Sequence, residues 1–286
     1  MQQTLPMTIH KHRVKRFART AVVYIIMIFI ALIMLAPFYF SLLISFRPSS
    51  EIMSFPMEIF PRNITAEHYR MIFNEMKILR HTLNTVLMTS INIFTNLVFC
   101  SLAAYAFAKL QFKFKNIIFK VMIAALMLPG IVTLVPTFML IVKMNLTNTF
   151  AGVILPGSVG VYGIFFMRSF FLTLSDELRE AGRIDGASEV RIFFNIYIPL
   201  VLPALITLGI FCLQGVWNSY VWPSIVLMNS PNKEPLAVAL KSFELTRPGY
   251  GSIMAAAVMS AVPILVIFVI AQKYFINGVA VGGLKG

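Results

Sequence analysis

Charge is what this chain has least of. Only 12% of its 286 residues are Asp, Glu, Lys or Arg, about half the roughly 25% of a soluble globular domain. Acidic side chains are the scarcest, 11 against 24 basic ones, for a formal net charge of +13. The two cysteines, Cys100 and Cys212, both stand in apolar runs. They read as small buried hydrophobes rather than as a disulfide or a metal site. The four histidines, His10, His12, His68 and His81, all precede residue 82 and show no metal-ligand spacing on one helix. The chain has no G-x-S-x-G elbow, no dinucleotide-binding glycine fingerprint and no G-x-x-x-x-G-K-[ST] phosphate loop. P-loop ATP hydrolysis by this chain is therefore excluded. If it moves a solute uphill, the energy comes from a partner.

What the chain has is apolar sequence. Hydrophobic residues make up 58% of it and mean hydropathy is +0.82, which excludes an ordinary cytosolic enzyme, a disordered chain and a disulfide-rich scaffold. The basic residues are spread along the chain rather than gathered on one face, which argues against nucleic acid. Crossing the ~30 Å hydrocarbon core takes about 20 predominantly apolar residues. Six segments qualify: Thr20–Ser45, Leu83–Ala108, Ile117–Val142, Phe150–Phe171, Leu200–Trp222 and Ile253–Tyr274. No 20–50-residue period repeats along the chain, so it is not a solenoid. The first span follows the basic run Lys11, Arg13, Lys15, Arg16 and Arg19, is about twice as long as a signal-peptide core, and lacks a small-residue cleavage site. It reads as an uncleaved anchor.

Lys and Arg fix the expected orientation. With the N-terminus inside, the cytoplasmic set adds Lys109, Lys113, Lys115, Lys120, Arg168, Arg179, Arg183, Arg191, Lys273 and Lys285 to the first five, fifteen in all. The outer set holds nine: Arg47, Arg62, Arg70, Lys77, Arg80, Lys143, Lys233, Lys241 and Arg247. This excess is the positive-inside bias, and six spans then put both termini in the cytoplasm. The expected organisation is a cytoplasmic basic tail over 1–19, a first transmembrane anchor over 20–45 and an outer loop over 46–82. A membrane core follows over 83–276 with a cytoplasmic loop at 173–199, and then a cytoplasmic tail over 277–286. A short helix is expected near Ala66–Arg80, and a second proline-bearing outer segment over Met228–Gly251. The interiors of the spans hold no Asp, Glu, Lys, Arg or His. Proton-driven carriers relay protons through such residues, so this absence weighs against one. Sodium-coupled carriers, which use carbonyls at broken helices, are less affected.

The loop at 173–199 reads as two short helices. Ser175 is positioned to cap the first, with Asp176 and Glu177 in its first turn, where carboxylates suit the helix dipole. Asp185-Gly186 ends it, Ser188 caps the second helix, and Pro199 is expected to disfavour helical geometry at Ile198. Charged residues interrupt Leu178, Ala181, Gly182, Ile184 and Ala187 on every turn, so this set does not face lipid. It suits either a helix docking into a groove on another protein or a solvated loop resting on its own bundle.

Within this loop, Glu180-Ala181-Gly182, then Gly186, then Ile196-Tyr197-Ile198-Pro199 resembles the E-A-A signature of ABC importer permeases. The spacing matches over twenty positions, with Gly182 where alanine is usual and Ile198 where leucine is usual. Glycine at 182 implies a looser first helix. Three flanking runs are similar to maltose-type carbohydrate permeases, and within them to the MalG-type partner of a heterodimer: Arg183-Ile-Asp185-Gly-Ala-Ser188, Trp217-Asn-Ser-Tyr-Val-Trp222-Pro223, and Tyr274-Phe-Ile-Asn-Gly278 with Leu284-Lys-Gly286. The resemblance covers nearly the whole chain. It implies an all-α integral membrane protein with the type I ABC importer permease fold, in a bacterial or archaeal cell membrane. It also implies a second homologous permease subunit, two cytoplasmic ATP-binding subunits and an extracytoplasmic solute-binding protein. ATP and Mg2+ would be held by the partner ATPase, with no cofactor in this chain.

By the same resemblance Glu180, Ala181, Gly182, Asp185, Gly186 and Ala187 form the contact that couples the pore to the ATPases, and the tail from Gly278 reaches between them. The residues themselves support Glu180 as an acceptor for a cationic or hydroxyl partner, and Gly186 as a place of close backbone approach. For a sugar pathway, which needs amides, hydroxyls and aromatic faces, the candidates are Asn84, Asn92 and Asn96 in the second span and Gln214, Trp217 and Asn218 in the fifth. Asn92 and Asn96, four apart, share a helix face, where they serve equally to bond helices together. Trp217 and Trp222 also suit interfacial anchors. The competing readings are a permease for another solute such as a peptide or polyamine, a stand-alone secondary carrier, and a membrane scaffold.

Overall fold

The computed structural model describes residues 7–52, 63–246 and 249–283, with side chains described over 19–52, 63–246 and 249–270. Every regular element among the described residues is helical. In chain order, α1 is Met7–Ser45, α2 Glu67–Glu75, α3 Ile78–Lys109, α4 Lys115–Ala125 and α5 Gly130–Lys143. Next come α6, Phe150–Ile154, continued by a 3-10 turn over Leu155–Gly157, and α7, Val161–Thr173. The loop at 173–199 holds α8, Glu177–Ile184, and α9, Glu189–Ile192, then a π turn over Phe193–Tyr197 and α10, Ile198–Leu200. The chain continues with α11, Leu202–Trp217, α12, Val221–Val226, α13, Leu236–Thr246, and α14, Tyr250–Gly283. Of the residues singled out in the sequence, Pro56, Pro61, Arg62, Arg247, Pro248 and Leu284–Gly286 lie outside the described residues.

Among the described residues, three helical stretches are long and apolar enough to cross a membrane: Arg19–Ser45, Ile78–Lys109 and Tyr250–Ile270. Three further spans reach that length only as bent pairs, which brings the number to six by length and composition. The expected third span is thus not one continuous helix. Lys115–Ala125 and Gly130–Lys143 meet at 103°, because Pro129 at φ −58°, ψ 133° has no N–H to continue the helix. The fifth departs as well. Helix α11 meets the segment before it at 80° and stops at Trp217, leaving Trp222 in the separate α12.

The described residues divide into two compact units, one drawn from 1–71 and 248–258, the other from 72–247 and 259–286. In the first, the end of α1 is tied to the start of α2. Thr65 N–H donates to Phe46 O at 2.8 Å, the Ser45 and Tyr69 hydroxyls bond at 2.8 Å, and His68 Nε2 lies 2.9 Å from Arg47 O. The apolar stretch of α1 itself is bare of protein contacts that would bury it, as expected of a surface solvated by lipid.

The second unit is built on α3, against which α7 and α11 pack. Cys100, Ala104, Tyr105, Met167, Phe171, Phe193, Tyr197 and Leu208 form its core. Tyr105 packs edge-on against Phe171 and Tyr197 and tilted against Phe193, with ring centroids 5.2–5.8 Å apart; edge-to-face contacts are among those that aromatic quadrupoles favour. Both cysteines are free thiols, Cys100 fully buried and Cys212 half-buried. This core runs under the loop at 173–199, so the loop is seated on α3 and α7 rather than hanging from them.

Candidate functional site

Helix α8 presents two faces, and the sequence had lumped them. Glu177, Glu180, Ala181 and Ile184 stand at i, i+3, i+4 and i+7 on one exposed stripe. Ile184 is 86% exposed, an apolar side chain held out with nothing of its own chain over it. Leu178 and Ala187 instead pack onto the core, and Gly182 is buried. A Cβ on Gly182 would lie 3.0 Å from Ile192 Cγ1 and 3.1 Å from Ile196 Cδ1. Glycine at 182 therefore does more than loosen α8. It lets the helix close onto α9 and the π turn.

The end of α8 is a Schellman turn. Gly186 N–H donates to Arg183 O at 3.0 Å and Ala187 N–H to Gly182 O at 2.9 Å, with Gly186 at φ +73°. That left-handed conformation is the reason glycine stands there, since a Cβ would meet no atom within 4 Å. Asp185 is exposed at the tip. Ser188 caps α9 as expected, accepting from Arg191 N–H. The first helix starts one residue later than expected: Asp176 holds the cap position, while Ser175 Oγ accepts from Glu177 N–H at 3.2 Å.

The expectation that Pro199 would force Ile198 out of helical geometry is overturned. Ile198 is helical, at φ −58°, ψ −46°. The π turn over Phe193–Tyr197 absorbs the proline instead, because a wider turn removes the ring's clash with the preceding turn. The bend falls later, at Val201 with φ −98°, ψ 11°.

Charges lock the two loop helices. Glu189 receives Arg179 Nη2 at 2.9 Å, Arg183 Nε at 2.8 Å and the Tyr105 hydroxyl at 3.0 Å. The Arg179 guanidinium, chiefly, holds the Glu189 carboxyl below its ordinary range. Lys109, the buried last residue of α3, donates to Asp176 Oδ1 at 2.6 Å and to Leu174 O at 2.7 Å. Tyr197 OH donates to Ser175 O at 3.2 Å. The loop helices are thus tied directly to α3. Glu189, Arg179, Lys109 and Tyr105 were not singled out as a site in the sequence. Only the opposite charges six and ten residues apart within the loop hinted at them.

The candidate pathway residues fall into three places. Asn92 and Asn96 face the break between α6 and α7. Both donate from Nδ2 to Gly157 O, at 3.0 and 2.8 Å, and Gly160 N–H donates to Asn96 Oδ1 at 3.1 Å. They supply the partners that a broken helix lacks inside a bilayer. Asn84 Nδ2 donates to Asn232 O at 2.9 Å and Glu234 O at 3.1 Å, tying α3 to the segment between α12 and α13. Gln214 and Asn218 line a crevice beside Ile264 and Phe268. Trp217 is buried and donates Nε1 to Ser260 O at 3.3 Å. Of these candidates only Asn92 lines a half-open cavity of about 380 Å³ bordered by α3, α5, α6, α11 and α12.

Residues 96–281 match the family described as the binding-protein-dependent transport system inner membrane component. The chain is 38% identical over 265 residues to the arabinooligosaccharides transport system permease protein AraQ of Halalkalibacterium halodurans, covering 90% of this chain and 94% of that one. It is 34% identical over 263 residues to the AraQ protein of Bacillus subtilis, covering 90% and 92%. Among solved structures it is similar to a chain of a bacterial ABC transporter involved in the import of the acidic polysaccharide alginate. The TM-score there is 0.80 and the identity 26%, over 92% of this chain and 98% of that one. The twenty-position loop motif, its seat on a bundle of broken spans and these matches agree: the chain belongs to the family of binding-protein-dependent transport system inner membrane components and has the type I ABC importer permease fold.

Proposed function

We propose that this chain is the membrane-spanning permease subunit of an ABC importer that carries a sugar or oligosaccharide across a bacterial or archaeal cell membrane. In this reading it pairs with a second, homologous permease subunit. Two cytoplasmic subunits bind and hydrolyse ATP with Mg2+, and an extracytoplasmic binding protein delivers the solute. Both termini face the cytoplasm in this reading, which the Lys and Arg distribution supports.

The observation that carries the reading is the exposed stripe of α8, with Glu180, Ala181 and Ile184 outward and Asp185-Gly186 at the tip. A solvated loop resting on its own bundle would turn its isoleucine inward, and this one does not. The stripe is a helix-in-groove ligand whose inner face is bolted to α3 through Glu189 and Lys109. Closure of the ATPases on α8 would then be passed to α3. The sugar cargo is supported by the relatives that the chain resembles over nine-tenths of its length.

The test is Gly186→Val. A β-branched residue at φ +73° is strained by about 1–2 kcal/mol, which misplaces the tip without touching any span. ATP hydrolysis stimulated by the loaded binding protein should be lost, with membrane insertion retained. Normal transport by this variant would contradict the assignment.

A further inference from the structure

The cavity of about 380 Å³ falls within the ~300–1,000 Å³ range of small-molecule sites. Two glycines border it without any need of their own. Gly215 lies in the last turns of α11, where glycine weakens a helix relative to alanine. A Cβ there, or on Gly130 at the start of α5, would meet no atom within 4 Å. Neither glycine has the positive φ that would require it. What both preserve is the volume of the cavity.

The polar groups facing that volume are uncharged. Thr133 and Thr137 stand one turn apart on α5, and each hydroxyl already donates backward, Thr133 Oγ1 to Gly130 O at 3.0 Å and Thr137 Oγ1 to Thr133 O at 2.7 Å. Their oxygens keep lone pairs for an incoming hydroxyl donor. Ser219 and Asn92 add a hydroxyl and an amide, and Trp222, with its Nε1 fixed on Val153 O at 3.1 Å, adds an aromatic surface. Hydroxyl acceptors beside an aromatic ring suit a carbohydrate. Among the described residues the lining contains no Asp, Glu, Lys, Arg or His, so a carboxylate entering it would be desolvated without a counter-charge.

We propose that this cavity is a subsite for one uncharged glycosyl ring of the transported oligosaccharide, and that it rejects uronate rings. The proposal rests on the importer reading above. Its test uses the complete importer, with its binding protein, in proteoliposomes. Uptake is measured for radiolabelled arabinotriose, xylotriose and maltotriose, with trigalacturonate as the acidic counterpart.

The wild type should take up at least one neutral trisaccharide and leave trigalacturonate outside. Gly215→Leu should lower neutral uptake tenfold or more while the ATPase subunits still co-purify. Thr137→Val, which removes a hydroxyl at constant volume, should raise the half-saturating concentration several-fold, and it decides the matter should the leucine variant fail to assemble. Wild-type kinetics in Thr137→Val together with unimpaired uptake in Gly215→Leu would overturn the subsite and leave the importer standing, as would wild-type uptake of trigalacturonate beside a neutral sugar. Uptake of none of the four by the wild type would overturn both.

Discussion

At the residue scale, Gly186 and Gly182 serve the same loop for different reasons. Gly186 is required by its φ of +73°, with open space around it. Gly186→Asn should therefore keep most of the coupled ATPase activity that Gly186→Val loses, because Asn tolerates the left-handed region. Gly182 is required by close approach to Ile192 and Ile196. Those contacts are side-chain ends that can shift by a few tenths of an ångström. Gly182→Ala should be close to neutral, its gain of up to about 1 kcal/mol in helix propensity offset by that shift, as measured by the thermal midpoint of the purified protein. Gly182→Val should separate α8 from α9 and uncouple transport.

Glu189 gives the loop a defined pH dependence. Its carboxyl titrates below the usual 4.5 because Arg179 bonds its charged form. A depressed folded-state pKa adds stability above the unfolded value, and that contribution is lost as the pH falls through the folded value. Hydrogen exchange of the α8 and α9 amides should therefore stay flat, after correction for intrinsic rates, from neutral pH down to about 5 and rise only in more acidic buffer. Glu189→Gln should show the raised exchange already at neutral pH. Equal protection in both proteins would mean that the ion pairs do not hold the helix pair.

At the element scale, the break between α6 and α7 is held by side chains from α3. Asn96→Leu removes the acceptor of Gly160 N–H and one of the two donors to Gly157 O. Leaving a buried donor unpaired costs on the order of 1–3 kcal/mol, so the variant should lose several degrees of thermal midpoint in detergent. Asn92 still serves Gly157 O, and so complete unfolding is not expected. An unchanged midpoint would show that the break is satisfied in another way.

The six apolar stretches, the turn at Asp185-Gly186 and the cap at Ser188 were legible in the sequence, because each is written in neighbouring residues. The breaks were not. Apolar content counts residues and is blind to direction, so Ile117–Val142 read as one span although its halves meet at 103°. Pro199 was legible as a disturbance, but its remedy, the π turn one step upstream, depends on packing of Phe193 and Tyr197 in the core. The lock on the loop escaped for a similar reason: Lys109 finds Asp176, and Tyr105 finds Glu189, only once α3 and the loop are folded together. The twin glycines and threonines of the cavity carry no pattern at all until five helices come together around it.

At the scale of the whole molecule, the chain is a moving part without an engine. It has an exposed stripe on α8, polar ties from the loop to a long span, and broken spans around a mostly apolar cavity with uncharged polar groups, but no phosphate loop. In the proposed reading it acts only with an ATPase and a second pore-forming subunit. The direct measurement is purification of this chain from its native membrane in mild detergent, followed by mass spectrometry of what accompanies it. A second multi-span permease and a P-loop ATPase should appear in stoichiometric amounts. Recovery alone or as a homo-oligomer, with flux that follows an ion gradient, would contradict the account.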